Sequence, residues 1–527
     1  MRALLAVLLA LVAAPAALAQ GPQTGFEKTD GAEFTTHEEE VAFLNAVKEG
    51  SPRVALSTIG TTKQGRPLHL VEIGSRGPAA ARDRPTALMV CSQHGNEPAG
   101  REACLRLLRD LAFTSDPALL SLMEKTTFLF VPSANPDGRA ANSRENADVV
   151  DVNRDHLGLD SNEARAMAKV VLDYAPDVAI DLHEYGPAMP VIYDDSVLWL
   201  WPRNLNTDAA VHDLAIEMGR KYLEPAANEA GYGTDEYGQY EVADNDVQQT
   251  AGDDDEGIMR NAMGLRHVLG ILVETRVTAD PRQSTGETAD TSAATQKRRV
   301  QSHYVVLQGM LKFMRERGAE AARVTQEAAA RKAAEGAAQN APLYFDGADN
   351  AEPPADKVIN PPPCGYTLTP AQVAELGPRL ELHGIELFSG PMGPFVSMAQ
   401  AAEPVIPLLL DERGSRTKSK ATPVAKDCPA RPAPPAAPPV APLAPAGQGC
   451  VKRRTVALKL PRRKGKAVST RVTVLGKRAK VKRGVAAVRL QKARPGAKVR
   501  VRIVQKVRRG KRTKTYRTSR TLRICAS

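Results

Sequence analysis

Residues 85–108 read PTALMVCSQHGNEPAGREACLRLL and contain a change of hydrophobic period. Their first part, PTALMVCS, is a short apolar run typical of a buried β-strand. From Pro98 to Leu111 the apolar residues recur at helical spacing, which predicts an α-helix. His94 and Glu97 are therefore expected in the turn that leaves the carboxyl end of a strand and enters a helix. In open α/β sheets, ligands bind at that edge.

A second His-x-x-Glu pair, His37 and Glu40, has the same spacing in a different setting. Thr36 is a candidate N-cap and Glu39 its capping-box partner, and an apolar helical face follows them. We therefore expect His37 and Glu40 to occupy the solvated first turn of an ordinary helix, without a metal.

A catalytic zinc site needs about three protein ligands and an open position for water. The segment PDVAIDLHEYG supplies a third ligand, because residues 178–182 predict a strand with His183 at its exit. Another apolar strand, in LGILVETRV, ends at Glu274, which is a candidate general base. Arginines follow the strand TFLFVPSA and could stabilise an oxyanion.

These residues occur in an order that resembles the zinc carboxypeptidase family of carboxypeptidases A and B. The motifs that carry the resemblance are His94-x-x-Glu97, Asn135-Pro136-Asp137-Gly138, Arg144-x-Asn146, Asp151-Val-Asn153-Arg154, Asp181-Leu-His183 and Glu274. The close spacing of NPDG, REN and DVNRD is more similar to the bacterial secreted branches than to the digestive enzymes. The resemblance implies an α/β fold with a mixed, mostly parallel sheet sandwiched by helices.

The resemblance also implies a metal centre. His94, Glu97 and His183 would bind one zinc ion, and Asp151 would orient the imidazole of His94 from behind.

Four further roles follow from the resemblance. Glu274 would be the general base and then the proton donor to the leaving amine, and Arg144 would polarise the scissile carbonyl. Asn153 and Arg154 would hold the terminal carboxylate of a peptide substrate, a task that suits a planar guanidinium.

Two features depart from the family pattern. The mobile tyrosine that usually precedes the base is missing from QQTAGDDDEGIMRN, and Tyr232, Tyr237 and Tyr240 are either substitutes or loop-packing residues. The acidic run 253–256 either favours a basic or amino-bearing substrate side chain, such as lysine or diaminopimelate, or is a solvated loop.

The function predicted from these motifs is that of a secreted zinc-dependent metallocarboxypeptidase acting on the C-terminal bond of peptides with a free carboxylate. Two alternatives remain open. The same site could act as an amidase on peptidoglycan peptides or N-acyl amino acids, or the chain could be a catalytically silent binding protein at the cell surface.

The N-terminus predicts export. Residues 1–19 form a signal peptide, with an apolar stretch and Ala17-Leu18-Ala19 as the A-x-A cleavage site. No later stretch approaches the roughly 20 apolar residues that a bilayer needs. The expected location is secreted, extracellular or associated with the cell envelope.

A chain of 527 residues is too long for one core, and shifts in composition divide it. The predicted modules are the catalytic domain (34–315), an Ala-rich helix and loop linker (316–363), a small accessory module (364–428), a Pro-rich linker (429–449) and a basic all-β domain (450–527).

Export allows disulfides to persist. Sequential pairs would join Cys364 to Cys428 and Cys450 to Cys525. Cys91 and Cys104 lie in apolar surroundings and are expected as buried thiols, with a bridge between them as the alternative.

The net charge of +11 is the sum over two regions of opposite charge. From Cys450 to the end there are 29 Lys and Arg residues and no Asp or Glu, which leaves 42 basic against 60 acidic residues in the remainder. Such a surface attracts anionic polymers. Acidic cell-wall polymers or an anionic membrane surface are the expected partners, with a solubilising surface as the alternative. Export and the lone Tyr516 argue against nucleic acid.

Overall fold

The computed structural model describes most of the chain between residues 21 and 523. The described residues are 21–74, 77–186, 195–238, 240–243, 246–249, 254–279, 290–349, 351–417, 419–429, 455–459, 466–474, 477–482, 485–489, 498–509 and 512–523. The predicted signal peptide, the predicted Cys450–Cys525 bridge and all but residue 429 of the predicted Pro-rich linker lie outside them. Among the described residues, no helix is both long and apolar enough to cross a membrane.

A mixed eight-stranded sheet forms the centre of the first compact unit, which extends to Pro432. Its strands are β1 (Val54–Thr61), β2 (Pro67–Ile73), β3 (Thr86–Cys91), β4 (Thr127–Val131), β5 (Val178–Tyr185), β6 (Val197–Leu200), β7 (Thr234–Glu236) and β10 (Leu269–Arg276), in the order β1-β2-β4-β3-β5-β10-β6-β7. The four central strands β4, β3, β5 and β10 are parallel, and antiparallel pairs flank them. The predicted fold class is confirmed.

Helices cover both faces of this sheet. They are α1 (Gly25–Lys28), α2 (His37–Gly50), α3 (Pro78–Ala81), α4 (Ala99–Phe113), α5 (Pro117–Lys125), α6 (Pro136–Ala141), α7 (Asn162–Tyr174), α8 (Ala209–Met218), α9 (Glu224–Glu229), α10 (Met259–Leu265) and α11 (Ala293–Ala338). Successive residues of β3 alternate between the faces: Met89 joins the core with α4 and α11, and Leu88 and Val90 join the core with α7 and α10. A buried strand between two helical layers explains why residues 87–91 are apolar throughout.

The helix α11 is longer than its predicted part. The Ala-rich segment near residues 320–339 is its C-terminal end, while its first half lies in the main core through residues such as Leu307, Met310 and Phe313. The boundary predicted at residue 315 falls inside this continuous helix.

The segment that contains the predicted accessory module packs in the same compact unit. Its elements are β11 (Leu343–Tyr344), β12 (Val358–Ile359), β13 (Gly365–Thr367), α12 (Pro370–Leu382), β14 (Leu387–Gly390), β15 (Gly393–Ser397), α13 (Ile406–Leu410) and β16 (Thr422–Val424). A disulfide joins Cys364 to Cys428, as predicted. Leu157 and Leu265, which lie within the predicted catalytic domain, share its hydrophobic core, so this segment packs against that part of the chain.

Further strands complete the described chain. β8 (Tyr240–Ala243) and β9 (Asp246–Gln249) form an antiparallel pair. The second compact unit, which begins at Ala433, contains β17 (Thr455–Lys459), β18 (Lys466–Val474), β19 (Lys477–Arg478), β20 (Lys480–Lys482), β21 (Val485–Arg489), β22 (Lys498–Arg509) and β23 (Arg512–Arg523). Their two antiparallel sheets, β17-β21-β20 and β19-β18-β22-β23, agree with the all-β prediction for this region.

Candidate metal centre

The turn between β3 and α4 places His94 and Glu97 at the carboxyl edge of the sheet. The chain passes from β3 to β4 on one side and then from β4 to β5 on the other side of β3. This change of direction opens a crevice beyond the end of β3, which is where doubly wound sheets bind ligands.

Close backbone packing fixes the shape of this turn. A Cβ atom at Gly95 would lie 1.9 Å from the carbonyl carbon of Gly138, so only glycine fits there. The Asn135 amide donates to the backbone oxygen of Gln93 (3.1 Å) and its side-chain oxygen accepts from Gly138 N (2.8 Å). The NPDG motif therefore supports the turn that carries the ligands.

A disulfide between Cys91 and Cys104 also closes this turn. The prediction that these cysteines are buried thiols was wrong, although both are fully buried. The thiols come together because α4 folds back along the strand that precedes it, and the separate periodicities of strand and helix do not contain that contact.

The three predicted metal ligands converge on one point. His94 Nδ1 lies 2.8 Å from Glu97 Oε1, and His183 Nδ1 lies 3.0 Å from His94 Nδ1 and 2.9 Å from Glu97 Oε2. All three side chains are buried. These separations approach the edge of about 3.3 Å expected for a tetrahedron with bonds of about 2.0 Å to zinc. The donor set and its spacing therefore fit a zinc ion.

Carboxylates hold the far nitrogen of each histidine. Asp151 Oδ1 lies 3.1 Å from His94 Nε2, and Asp181 Oδ2 lies 2.8 Å from His183 Nε2. Each carboxylate fixes the ring so that Nδ1 points toward the common centre. Asp181 was missed as an orienting residue, although its position two residues before His183 on one strand was a usable signal, since such residues share a face.

The charges in this cluster stabilise one another. Burial favours neutral His183, but the carboxylates of Asp181 and Glu97 outweigh it and raise the pKa of His183 well above its usual value. Burial would raise the pKa of Glu97, yet the two histidines hold that pKa well below its usual range. Glu97 is thus an anion, which is the form that binds a metal.

Glu274 lies beside the predicted metal ligands. It pairs with His183 in the parallel ladder between β5 and β10, and its side chain lines the cavity. Burial raises the pKa of Glu274 to about 7. His183 and Glu274 were predicted at strand exits, but β5 continues to Tyr185 and β10 to Arg276. The two strands continue because each pairs with its neighbour through these polar positions.

Arg144 contacts the ligand cluster from the open side. Its Nη1 lies 3.1 Å from His94 Nδ1, and its Nε donates to Asp151 Oδ2 at 3.0 Å. The side chain is 40% exposed, so its guanidinium can reach both the metal centre and a bound molecule.

Asn153 and Arg154 follow on a single 3-10 turn, Val152–Arg154, but they face different surroundings. Asn153 is buried: its Nδ2 donates to Asp181 Oδ2 (3.1 Å) and its Oδ1 accepts from Met259 N (2.8 Å). Arg154 is 39% exposed and its Nη1 donates to the backbone oxygen of Asn153 at 2.9 Å. Both residues line the cavity.

The cavity at this edge has a volume of about 410 Å³. It is lined by all predicted site residues except Asp151, together with Tyr185, Leu200, Tyr237, Ile258, Arg260 and Leu272. Of the candidate tyrosines, Tyr237 lines it, Tyr232 packs against the main core, and the side chain of Tyr240 lies outside the description.

Two carboxylates of the acidic run bind within the protein, so they do not form the predicted solvated loop. Asp255 pairs with Arg416 and Glu256 accepts from Ser415, so both carboxylates contact the segment after residue 363. Asp253 lies outside the described residues.

The second His-x-x-Glu pair differs from the first in its surroundings. Thr36 and Glu39 form the predicted capping box of α2. The prediction of a solvated Glu40 was wrong: it is 1% exposed, and it accepts from Ser133 Oγ (2.7 Å) and Arg101 (3.4 Å). Within the described residues, the group able to hold a metal is His94, Glu97 and His183.

Known proteins resemble the part of the chain that contains this site. Residues 40–280 match the family model described as zinc carboxypeptidase. Carboxypeptidase 2 of Trichophyton equinum is 35% identical over 190 residues, covering 35% of this chain and 35% of that protein. Carboxypeptidase 2 of Trichophyton rubrum is 30% identical over 260 residues, covering 47% of this chain and 48% of that protein.

Among solved structures, a metallo-carboxypeptidase from Burkholderia cenocepacia aligns at 19% identity with a TM-score of 0.41, over 52% of this chain and 68% of that chain. The match spans between about a third and a half of the length of the two curated relatives.

Proposed function

We propose that this chain, whose residues 40–280 belong to the zinc carboxypeptidase family, is a zinc-dependent metallocarboxypeptidase that releases the C-terminal residue of peptides. The observation that carries the proposal is the convergence of His94, Glu97 and His183 in one cavity with Glu274 and Arg154. That cavity combines a metal site, a base and a cation that can bind a free carboxylate.

His94, Glu97 and His183 would hold one zinc ion. Bound there, zinc supplies a Lewis acid that acidifies a water molecule and polarises a carbonyl oxygen. Asp151 and Asp181 would leave Nδ1 of each histidine available to the ion, because each carboxylate contacts the opposite nitrogen of its ring.

Glu274 would transfer a proton from the attacking water to the leaving amine. As a carboxylate it accepts a proton from the attacking water, and as an acid it returns that proton to the departing amine. A pKa of about 7 suits both steps, because a general base is most effective when its pKa lies near the working pH.

The arginines would position the substrate. Arg144 stands at the open side of the ligand cluster, where its N–H groups can donate to the scissile carbonyl oxygen. Arg154 would bind the terminal carboxylate through its planar fork, with Asn153 holding the turn beneath it. A cation placed for a terminal carboxylate favours exopeptidase over internal cleavage.

The substitution Glu274→Gln tests this mechanism. It removes the base while keeping the shape of the side chain, so kcat should fall by about 10²–10⁴-fold with zinc content unchanged. The assay follows release of the last residue from a peptide panel by mass, with C-terminally amidated peptides as controls. Unchanged hydrolysis by the variant would exclude Glu274 as the base. Absence of hydrolysis by the wild-type chain would favour a binding protein.

We also propose export and retention at an anionic surface. The support is the signal-like segment 1–19 and the 29 basic residues without an acidic one after Cys450. Retention would keep the enzyme close to peptides at the cell envelope.

A further inference from the structure

The loop before α10 meets a distant part of the chain. Arg416 donates two hydrogen bonds to the carboxylate of Asp255, from Nε to Oδ1 at 3.0 Å and from Nη2 to Oδ2. Next to it, Ser415 Oγ donates to Glu256 Oε1 at 2.6 Å. Arg416 is 161 residues further along the chain than Asp255, in the segment that closes with the Cys364–Cys428 disulfide.

Asp255 also lies near Arg154, a residue that lines the cavity. Its Oδ2 lies 3.9 Å from Nε of Arg154, and its Oδ1 accepts from the backbone N–H of Gly257 at 2.7 Å. A Cβ atom at Gly257 would lie 2.4 Å from the backbone oxygen of Arg154 and 2.6 Å from Cζ of Arg416. The Asp255 carboxylate is therefore held between a guanidinium of the cavity and a guanidinium of the later segment.

We propose that Arg416 is a positioning residue for the binding of the substrate carboxylate by Arg154. This inference rests on the proposed function, which assigns that carboxylate to Arg154. Arg416 binds both oxygens of Asp255. Its positive charge balances the negative charge of that carboxylate and keeps the carboxylate from moving closer to Arg154. Without Arg416, the Asp255 carboxylate would compete with the substrate carboxylate for the same guanidinium.

The segment that holds Arg416 is then part of the substrate site, although it does not line the cavity. The contact is specific in its geometry, because a two-donor pair fixes both the distance and the plane of the Asp255 carboxylate. The same segment also makes a pair whose two residues do not line the cavity, from Arg379 Nη2 to Asp160 Oδ1 at 2.7 Å. That pair provides a matched control.

The test compares Arg416→Gln with Arg379→Gln in the full, zinc-loaded chain. In Arg416→Gln we expect KM for a peptide with a free C-terminus to rise about tenfold, with kcat within about twofold, because uniform binding is lost. The Arg379→Gln variant should keep both constants. For the C-terminally amidated peptide, Arg416→Gln should not change the residual kcat/KM.

A rescue separates positioning from a structural role. Asp255→Asn keeps the acceptor for Gly257 but removes the charge, so the double variant Arg416→Gln/Asp255→Asn should return KM to near the wild-type value. Equilibrium binding of the uncleaved peptide to Glu274→Gln chains that carry the same changes supplies a readout without turnover. If Arg416→Gln lowers the unfolding temperature more than Arg379→Gln does, Arg416→Lys gives a graded variant with an intermediate KM.

Three outcomes would overturn the proposal: an unchanged KM in Arg416→Gln, an equal rise in Arg379→Gln, or no rescue by Asp255→Asn. A wild-type chain that releases no C-terminal residue would instead refute the proposed function. The binding measurements in the Glu274→Gln background would then still report whether Arg416 affects carboxylate affinity.

Discussion

At the scale of single residues, Asp181 connects the sheet to the metal centre. It sits on β5 two residues before His183, holds His183 Nε2 at 2.8 Å, and accepts from Asn153 at 3.1 Å. The carboxylate thus links a proposed ligand to the turn that carries Arg154. The proposed ligands and base were predictable because each lies in or directly after an apolar strand. The position of Asp181 on the same face of β5 as His183 was also a usable signal, but the contact of its carboxylate with Nε2 depends on the direction of the ring, which a pattern does not contain.

We expect Asp181→Asn to weaken zinc binding about 10–100-fold, because the amide no longer fixes the His183 ring as a carboxylate does. The measurement is the zinc dissociation constant by chelator competition, independent of any substrate. Asp160→Asn, at an exposed position near the surface, is the control and should keep the wild-type constant. Equal affinity in Asp181→Asn would show that the Asp181 carboxylate does not orient the ligand.

At the scale of elements, the sequence predicted where strands and helices lie better than how they meet. β3, β4 and α4 were recognisable because the strands are short apolar runs and the helix has a clear period. The contacts that complete the site join elements far apart in the chain, such as Asp255 to Arg416. Nothing in either local pattern specifies such a pair, since each residue taken alone is a surface charge beside a loop.

The turn between β3 and α4 yields a prediction at this scale. Gly95→Ala would place a methyl group against the backbone of Gly138 and Arg139, which cannot move without displacing α6. We expect the free energy of unfolding to fall by about 3 kcal/mol, together with loss of tight zinc binding.

The matched variant is Gly318→Ala in α11, where an added Cβ atom meets the Pro85 side chain at 3.3 Å and the end of the Met314 side chain at 3.6 Å. Its unfolding free energy should change by less than about 1 kcal/mol, since alanine also favours the helix. Denaturant unfolding of both variants measures the difference. Equal stability in Gly95→Ala and the wild type would mean that the turn can relax.

At the scale of the whole molecule, two compact units of opposite charge share one chain. The first holds the proposed metal centre together with the segment that binds Asp255, so the proposed substrate site would extend past residue 280, where the family match ends. Composition predicted the basic β-rich region, because alternating apolar and basic residues indicate strands without any tertiary information.

A chain that ends at Pro432 should keep the kcat/KM of the full chain and lose its affinity for polyanions. Binding to vesicles with anionic lipid, and to an acidic polysaccharide, is measured for both chains at increasing salt, with neutral vesicles as the control. Affinity of the full chain should fall as salt rises, because screening weakens surface charge attraction. Equal binding by the shortened chain would place the anionic contact elsewhere.

The ladder between β5 and β10 suggests how such a molecule could be re-engineered. His183 and Glu274 are direct neighbours on adjacent parallel strands. Backbone hydrogen bonds keep these two strands about 4.8 Å apart. Gly186, Tyr237 and Gly238, by contrast, lie outside the strands and line the cavity. Replacing the segments at these three residues should change which substrates the cavity admits. His183 and Glu274 would stay in register, because the sheet that holds them is unchanged.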